Sequence, residues 1–458
     1  MMAIGQLSVA VVGHANAGKT SLIRTLLRDS EFGEVADQAG TTRHVEGSAV
    51  NIGEENRLAL FDTPGLEDSI RLFHILSQFF PEHSVDGVER LRYFLDHLPS
   101  YPELDQEAKV LRALLDIDLI FYVIDLREPI LGKYRDELQI LSYAAKPVIP
   151  VLNFTRQGGE HLALWKQQLA RLNFHAYVSF DNVHFDFSDE MKIYQKMQTL
   201  LPDQEGLLNQ LILQRQQQWA DTFELATQIV AKLFVECAAL RYQVDNSEQA
   251  LQKCSEELQR RIRKAENKCV AELLTLYQFR QEDVKESQLP VAQDGWHLDL
   301  FSADNLQELG INITGNIAKG VGAGVAIDLM TAGMSLGAAA ITGGVAGALW
   351  SVKQRYYDEI YAKVTGSRYI CLDDVTLQVL WLRQNKLLQI LQQRGHASFD
   401  KIDLEIGKEK LELPQHWHKW LRRARSHPDW SSLNGRVVDN KESKRIQFID
   451  TLAAAMHH

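Results

Sequence analysis

The chain has few cysteines and no pattern that would pair them. Its four, Cys237, Cys254, Cys269 and Cys371, form no Cys-x-x-Cys pair and show no metal-ligand spacing. That excludes a disulfide framework or a cysteine zinc centre and fits idle thiols in a reducing compartment. Basic side chains are also short, with 49 Lys and Arg against 60 Asp and Glu and a formal charge of −11. DNA binding is not expected, because phosphate backbones recruit an excess of cations. The opening MMAIGQLSVAVVGH lacks the basic n-region of a secretory signal and enters a strand-like run at once. The expectation is cytoplasmic residence. At 458 residues the chain suits two to four domains with full-sized cores.

Residues 1–205 alternate apolar β-rich runs with helical patterns, the rhythm of an α/β domain with a mostly parallel sheet. Expected strands are Ser8–Val12, Val45–Ile52, Leu58–Phe61, Leu119–Ile124, Val148–Leu152 and Ala176–Phe180. Residues 66–117 are a polar, aromatic-rich insertion, expected to be helical and to cap one side of the sheet.

An all-α C-terminal region follows. From Leu207 to Leu289 neither Gly nor Pro occurs. Trp219, Phe223, Ala226, Val230, Leu233, Cys237, Leu240 and Val244 recur in steps of four and three, the seam of a packed helix. Asp245-Asn246-Ser247, with Gln249 three residues beyond Asn246, offers a cap for a second helix. Residues 206–300 therefore read as a long helical hairpin, with a self-associating coiled coil as the alternative.

Residues 301–352 form a Gly/Ala-rich segment in which Leu329–Val352 carries no charge. Small residues recur four apart at Gly320/Gly324, Gly333/Gly337 and Gly343/Gly347, which lets two helices approach closely. A buried helical hairpin, a reversible membrane-inserting one and a flexible loop all fit, and an uncharged helix of this length can cross about 30 Å of hydrocarbon. Asp328 and Lys319 oppose deep insertion of its first half. Residues 353–458 return to amphipathic helical patterns. Trp417, Trp420, Arg422, Arg423 and Arg425 there form either a face tucked into the domain or an interfacial lipid partner.

SVAVVGHANAGKTSLIRTLL is a strand, a Gly-x-x-x-x-Gly-Lys-Thr loop and an apolar-periodic helix. In that context the loop wraps phosphates with successive backbone N–H groups at a helix N-terminus. Gly13, His14, Ala15, Asn16, Ala17, Gly18, Lys19, Thr20 and Ser21 are the nucleotide-binding candidates. Lys19 reaches the terminal phosphates and the Thr20 hydroxyl binds Mg²⁺. Thr41 and Thr42 of AGTTRH each suit the γ-phosphate and the metal, and the residues do not choose between them. Asp62 of LALFDTPGLED suits the metal through water, and Gly65 suits an N–H donor to the γ-phosphate. LIFYVIDLREP is a buried strand ending in Asp125. The candidates for catalysis are Lys19, Thr41, Thr42 and Gly65.

The ordered set resembles the TrmE–Era–EngA-like branch of translation-factor-class GTPases, on Asn16 in the phosphate loop and Gly40-Thr41-Thr42-Arg43. The chain is also similar to a bacterial group joining such a domain to a C-terminal domain of unknown function. The resemblance implies GTP and Mg²⁺, with Asn16 a potassium ligand in several relatives. The residue after Gly65 is Leu66 where other GTPases carry Gln, and Leu cannot orient water. Slow intrinsic turnover is expected, with help from potassium, a partner or nucleotide-dependent homodimerisation. A GTPase switch controlling the helical half, docked on the inner membrane or on a helical protein, is the first reading. A nucleotide-binding regulator with negligible catalysis and a ribosome- or RNA-associated GTPase are the others.

The base-reading half is altered. VIPVLNFTRQ carries Asn153-Phe154-Thr155-Arg156 where Asn-Lys-x-Asp is expected. Arg156 has donors and no acceptor, so it cannot receive the guanine N1–H and N2–H₂. Donors left unpaired cost about 1–3 kcal/mol each. Asn153 suits the purine N7 and Phe154 the ring face. Ser179 and Phe180 of AYVSFDN suit backbone donors to O6, with Asp181 a candidate replacement carboxylate and a degenerate loop the alternative.

Overall fold

The computed structural model describes residues 5–28, 46–54, 56–79, 86–182, 185–245, 247–277, 291–292, 295–296, 325–328, 367–393, 416–435 and 443–456. The chain divides into two compact units, residues 1–220 with 392–400 and residues 221–391 with 401–458.

In the first unit all six expected strands form and join one sheet: β1 Gly5–Gly13, β2 Glu46–Ile52, β3 Asn56–Asp62, β4 Leu119–Asp125, β5 Val148–Asn153 and β6 Val178–Ser179. The order is β2-β3-β1-β4-β5-β6, with β2 antiparallel to β3 and every other pairing parallel. Continuous apolar strands follow from burial on both faces. Along β4, Leu119, Phe121 and Val123 enter one core while Ile120, Tyr122 and Ile124 enter the other. The first core lies under α1 (Lys19–Leu27), with Leu22, Ile23 and Leu26 facing the sheet. The second lies under α2 (Ser69–Gln78), α3 (Gly87–Asp96), α4 (Asp105–Asp116), α5 (Gly132–Tyr143) and α6 (Leu162–Arg171). The first three of these belong to the 66–117 insertion, which is helical and packs on that face. α7 (Phe187–Leu200) returns to the face of α1.

Parallel pairing and register bring the strand ends to one edge. Val11 stands opposite Asp62, Gly13 opposite Val123, Asp125 opposite Asn153 and Leu152 opposite Ser179. The chain leaves β1 toward β3 on one side and β4 on the other, the topological switch point beside which α/β sheets hold ligands.

The chain passes between units within α8 (Glu205–Ala238). The second unit is helical, with α9 (Glu248–Leu276), α10 (Asp374–Gln393), α11 (Trp417–Arg425) and α12 (Ser443–Ala454). It also contains strands. A two-residue ladder joins β8 (Val291–Ala292) to β9 (Gly295–Trp296), and β7 (Arg241–Asp245), β10 (Val325–Asp328) and β11 (Ser367–Leu372) form an antiparallel sheet in the order β10-β11-β7.

Several expectations change here. The apolar seam leaves the helix after Ala238, so Leu240 and Val244 are buried from a turn and a strand. A strand thus separates the two helices of the expected hairpin. The cap of α9 is Ser247, the last residue of the expected Asp245-Asn246-Ser247 stretch, whose side chain accepts from the Ala250 N–H. Of the Gly/Ala-rich segment only Val325–Asp328 lies within the described residues, and it is a strand. The remainder of the expected helical hairpin lies outside them. Trp417 and Trp420 are buried with Phe234 and Trp381, and Arg425 is buried against the Asp374 carboxylate and the Leu372 carbonyl. The interfacial lipid face is thereby overturned, because core packing consumes both indoles and one of its three arginines. Among the described residues no helix is long and apolar enough to cross a membrane.

Candidate functional site

The phosphate-loop candidates lie at the junction of β1 and α1. Gly18 caps the helix at φ 94, and a Cβ there would stand 2.4 Å from Asn153 Nδ2. Only glycine satisfies both the left-handed backbone and the close approach. Gly13 is packed as tightly, since a Cβ would meet the Val123 carbonyl at 2.4 Å. Asn16 is exposed at the crown of the loop and is left-handed at φ 62, a conformation Asn tolerates better than most residues.

Three polar side chains converge inside the loop. Lys19 is 8% exposed and donates to the His14 carbonyl at 3.0 Å. Burial lowers its pKa, against the raising pull of Asp62, Glu137 and Glu67. Thr20 Oγ1 donates to Asp62 Oδ2 at 2.5 Å, both groups being buried. A hydroxyl and a carboxylate in contact are the hard oxygen donors Mg²⁺ takes, so the pair fits that ion, and the charge of Lys19 fits a polyphosphate. Thr63 donates to the Val11 carbonyl at 2.8 Å, fixing the start of the following turn.

Gly65 lies against the loop, where a Cβ would be 3.3 Å from Ala15 N. The neighbouring Leu66 is 1% exposed and belongs to the core, not to the phosphate side. Sequence reading missed what ties this turn. Gln106 of α4 donates to the Gly65 carbonyl at 3.3 Å, and Glu107 accepts from the Asp68 N–H at 3.0 Å. It also missed the polar group behind the loop, where Lys133 Nζ is 2.7 Å from His14 Nε2 and Tyr122 donates to the fully buried Glu137 at 2.6 Å. No local motif announces either. Thr41 and Thr42 lie outside the described residues.

At the base end, Asn153 Nδ2 donates to the Ala17 carbonyl at 2.9 Å. Its Oδ1 accepts from Phe154 N at 2.9 Å and Asn182 N at 3.0 Å, while Asn182 donates to the Gly18 carbonyl at 2.9 Å. Asn153 and Asn182 thus staple two strand ends to the phosphate loop. Phe154 has φ 57, and the Arg127 guanidinium lies 3.6 Å from its ring centroid. One face of the ring expected to meet the base is therefore covered by Arg127, which is held in turn by Asp125 at 2.7 Å. Ser179 sits at the strand end as expected, but the Phe180 side chain is core, 1% exposed and packed on Phe185. Asp181, 6% exposed, accepts from Arg156 N and from Thr155 Oγ1, each at 3.3 Å. The carboxylate absent at position 156 is present beside that residue's backbone, delivered from the next loop.

Known proteins resemble parts of this chain. Residues 8–154 match the family described as 50S ribosome-binding GTPase, and residues 166–454, more than half of the chain, match Domain of unknown function (DUF3482). The tRNA modification GTPase MnmE of Helicobacter pylori (strain Shi470) is 29% identical over 146 residues, 32% of this chain and 26% of that protein. The GTPase Der of Bordetella petrii is 29% identical over 160 residues, 32% of this chain and 34% of that protein. The chain thus spans a quarter to a third of the length of these relatives. The solved complex of Era with MgGDPNP and nucleotides 1506–1542 of 16S ribosomal RNA is 22% identical at a TM-score of 0.29, covering 39% of this chain and 51% of that one. The G domain of the T. maritima FeoB iron transporter is 21% identical at a TM-score of 0.25, covering 42% and 99%. The chain belongs to the family of Domain of unknown function (DUF3482) and carries a P-loop GTPase domain ahead of that region.

Proposed function

We propose that residues 1–205 bind GTP with Mg²⁺ and hydrolyse it slowly to GDP and phosphate, acting as a switch on the helical half in residues 206–458. The buried contact of Thr20 with Asp62, beside Lys19 at a helix N-terminus, carries this reading. Thr20 and Asp62 would hold the ion, whose charge neutralises the phosphates when bound. Thr41 or Thr42 closes over the γ-phosphate, and Gly65 donates its N–H there. Leu66, buried in the core, cannot orient the attacking water, which supports slow turnover. Potassium at Asn16, or nucleotide-dependent pairing of two chains, supplies the missing charge. The helical half works on a helical protein or at the inner membrane from the cytoplasm.

A binding-only regulator is the second reading, supported by the same burial of Leu66. Phosphate release measured in potassium and in sodium separates the two. Saturable turnover, faster in potassium and abolished by Lys19→Ala, supports hydrolysis. Absence of release in both salts, with nucleotide still bound, overturns it in favour of the regulator.

A further inference from the structure

The second unit holds a cleft of about 430 Å³. Ligand sites usually fall in the range of about 300–1,000 Å³. One wall is α8, where Ile229, Lys232, Leu233 and Glu236 recur at helical spacing, and the other is α9 from Arg260 to Glu272. The 3₁₀ turn at Ser432 and Leu433 contributes the rest of the lining.

The side chains divide by chemistry. Apolar surface comes from Leu233, Ala265 and Leu433. Five cations also line the cleft, against two carboxylates. Both carboxylates are already engaged. Glu236 accepts from Ser432 N at 2.6 Å, from Ser432 Oγ at 2.8 Å and from the buried Arg445 at 2.8 Å. Glu272 pairs with Lys268 at 3.7 Å. The two arginines, Arg260 and Arg261, pair with Glu257, which is not part of the lining. Arg261 also donates to the Leu433 carbonyl at 2.5 Å and lies over the Tyr242 ring.

Lys232 and Lys264 remain, one from each helix, and neither has an ion pair among the described residues. Both are exposed residues of the lining, and an anion held in the cleft is attracted by each. The chain as a whole carries −11, so this concentration of cations is not its average surface. An inorganic anion would satisfy the ammonium groups and leave the apolar lining wet. A neutral lipid would do the reverse.

We propose that this cleft binds an organic anion with an apolar tail, its head between Lys232 and Lys264 and its tail on Leu233, Ala265 and Leu433. Titration calorimetry of the full chain with dodecyl phosphate below its micellar concentration tests this. Saturable binding is expected, weakened at least about tenfold by the double variant Lys232→Gln/Lys264→Gln. Ala265→Trp, which fills the apolar side, should lose the tail contribution while thermal melting stays cooperative. No saturable binding, a double variant within about threefold of wild type, or equal binding of inorganic phosphate overturns the proposal. Flotation with phosphatidylglycerol vesicles distinguishes the source. Lysine-dependent flotation identifies a bilayer lipid, whereas dodecyl phosphate binding without flotation identifies a free amphiphile.

Discussion

Replacing Asp181 by Asn decides whether the relocated carboxylate reads the base. The carboxylate lies beside the backbone of Arg156, where the missing acceptor belongs, and accepts from Arg156 N and Thr155 Oγ1. Asn is nearly isosteric and its carbonyl can keep accepting from Arg156 N, so the loop should survive. Against guanine the amide keeps one acceptor for N1–H but turns its NH₂ on the donor N2–H₂. A hydrogen bond to a charged group is worth about 1.5–3 kcal/mol. Losing one and weakening the other predicts a loss of roughly 3–5 kcal/mol, or about 10²–10⁴-fold in GTP affinity. Xanthine presents a carbonyl at position 2, which the new NH₂ satisfies, so XTP should gain where GTP loses. The assay is competitive displacement of a fluorescent nucleotide by GTP, XTP and ATP, with Mg²⁺, on both proteins. GTP affinity of Asp181→Asn within about threefold of wild type, with no gain for XTP, refutes the assignment and makes Asp181 a loop brace only.

Two further outcomes follow from the cores and the phosphate loop. Lys19 has its pKa lowered by burial, so above the folded value the unfolded chain holds the extra proton and stability rises with pH toward the ordinary lysine range. Without nucleotide, Lys19→Met should melt above wild type at neutral pH, the gap closing as pH rises through that window; a gap that widens contradicts the sign. Trp417 packs on Phe234 at 4.9 Å and Trp381 at 5.8 Å, so Trp417→Ala should cost about 3–5 kcal/mol in urea unfolding of the second unit, and a loss below about 1 kcal/mol would contradict its place in that core.

The first unit was legible because its signals are local. Strands buried on both faces appear as unbroken apolar runs, and Gly13–Thr20 needs only its own strand and helix. The second unit was less so. Leu240 and Val244 continue a helical spacing, yet β7 forms because β11, more than a hundred residues later, supplies its edge partner. Strand preference depends on such distant neighbours and not on the segment itself. The base end fails to read for a similar reason. Arg127 over Phe154, and Asp181 beside Arg156, join residues 27 and 25 apart that only the sheet edge brings together.

Whether the turn at Gly65 can respond to a γ-phosphate depends on what holds it now. Gln106 grips the Gly65 carbonyl, Glu107 grips the Asp68 N–H, and Leu66 is anchored in the core. The first bond is worth about 0.5–1.5 kcal/mol and the second, to a carboxylate, about 1.5–3. Leu66 burial adds about 1.5–3 kcal/mol. Moving the whole turn therefore costs roughly 4–7 kcal/mol, while swinging a two-state loop from one per cent to ninety-nine takes about 5.5. A γ-phosphate that gains only one backbone hydrogen bond from Gly65 cannot supply that. Either the turn moves together with α4, keeping both bonds, or it stays fixed and the response falls to the segment holding Thr41 and Thr42. In the first case the 66–117 insertion is the element that carries nucleotide state outward, because Gln106 and Glu107 make α4 part of the turn.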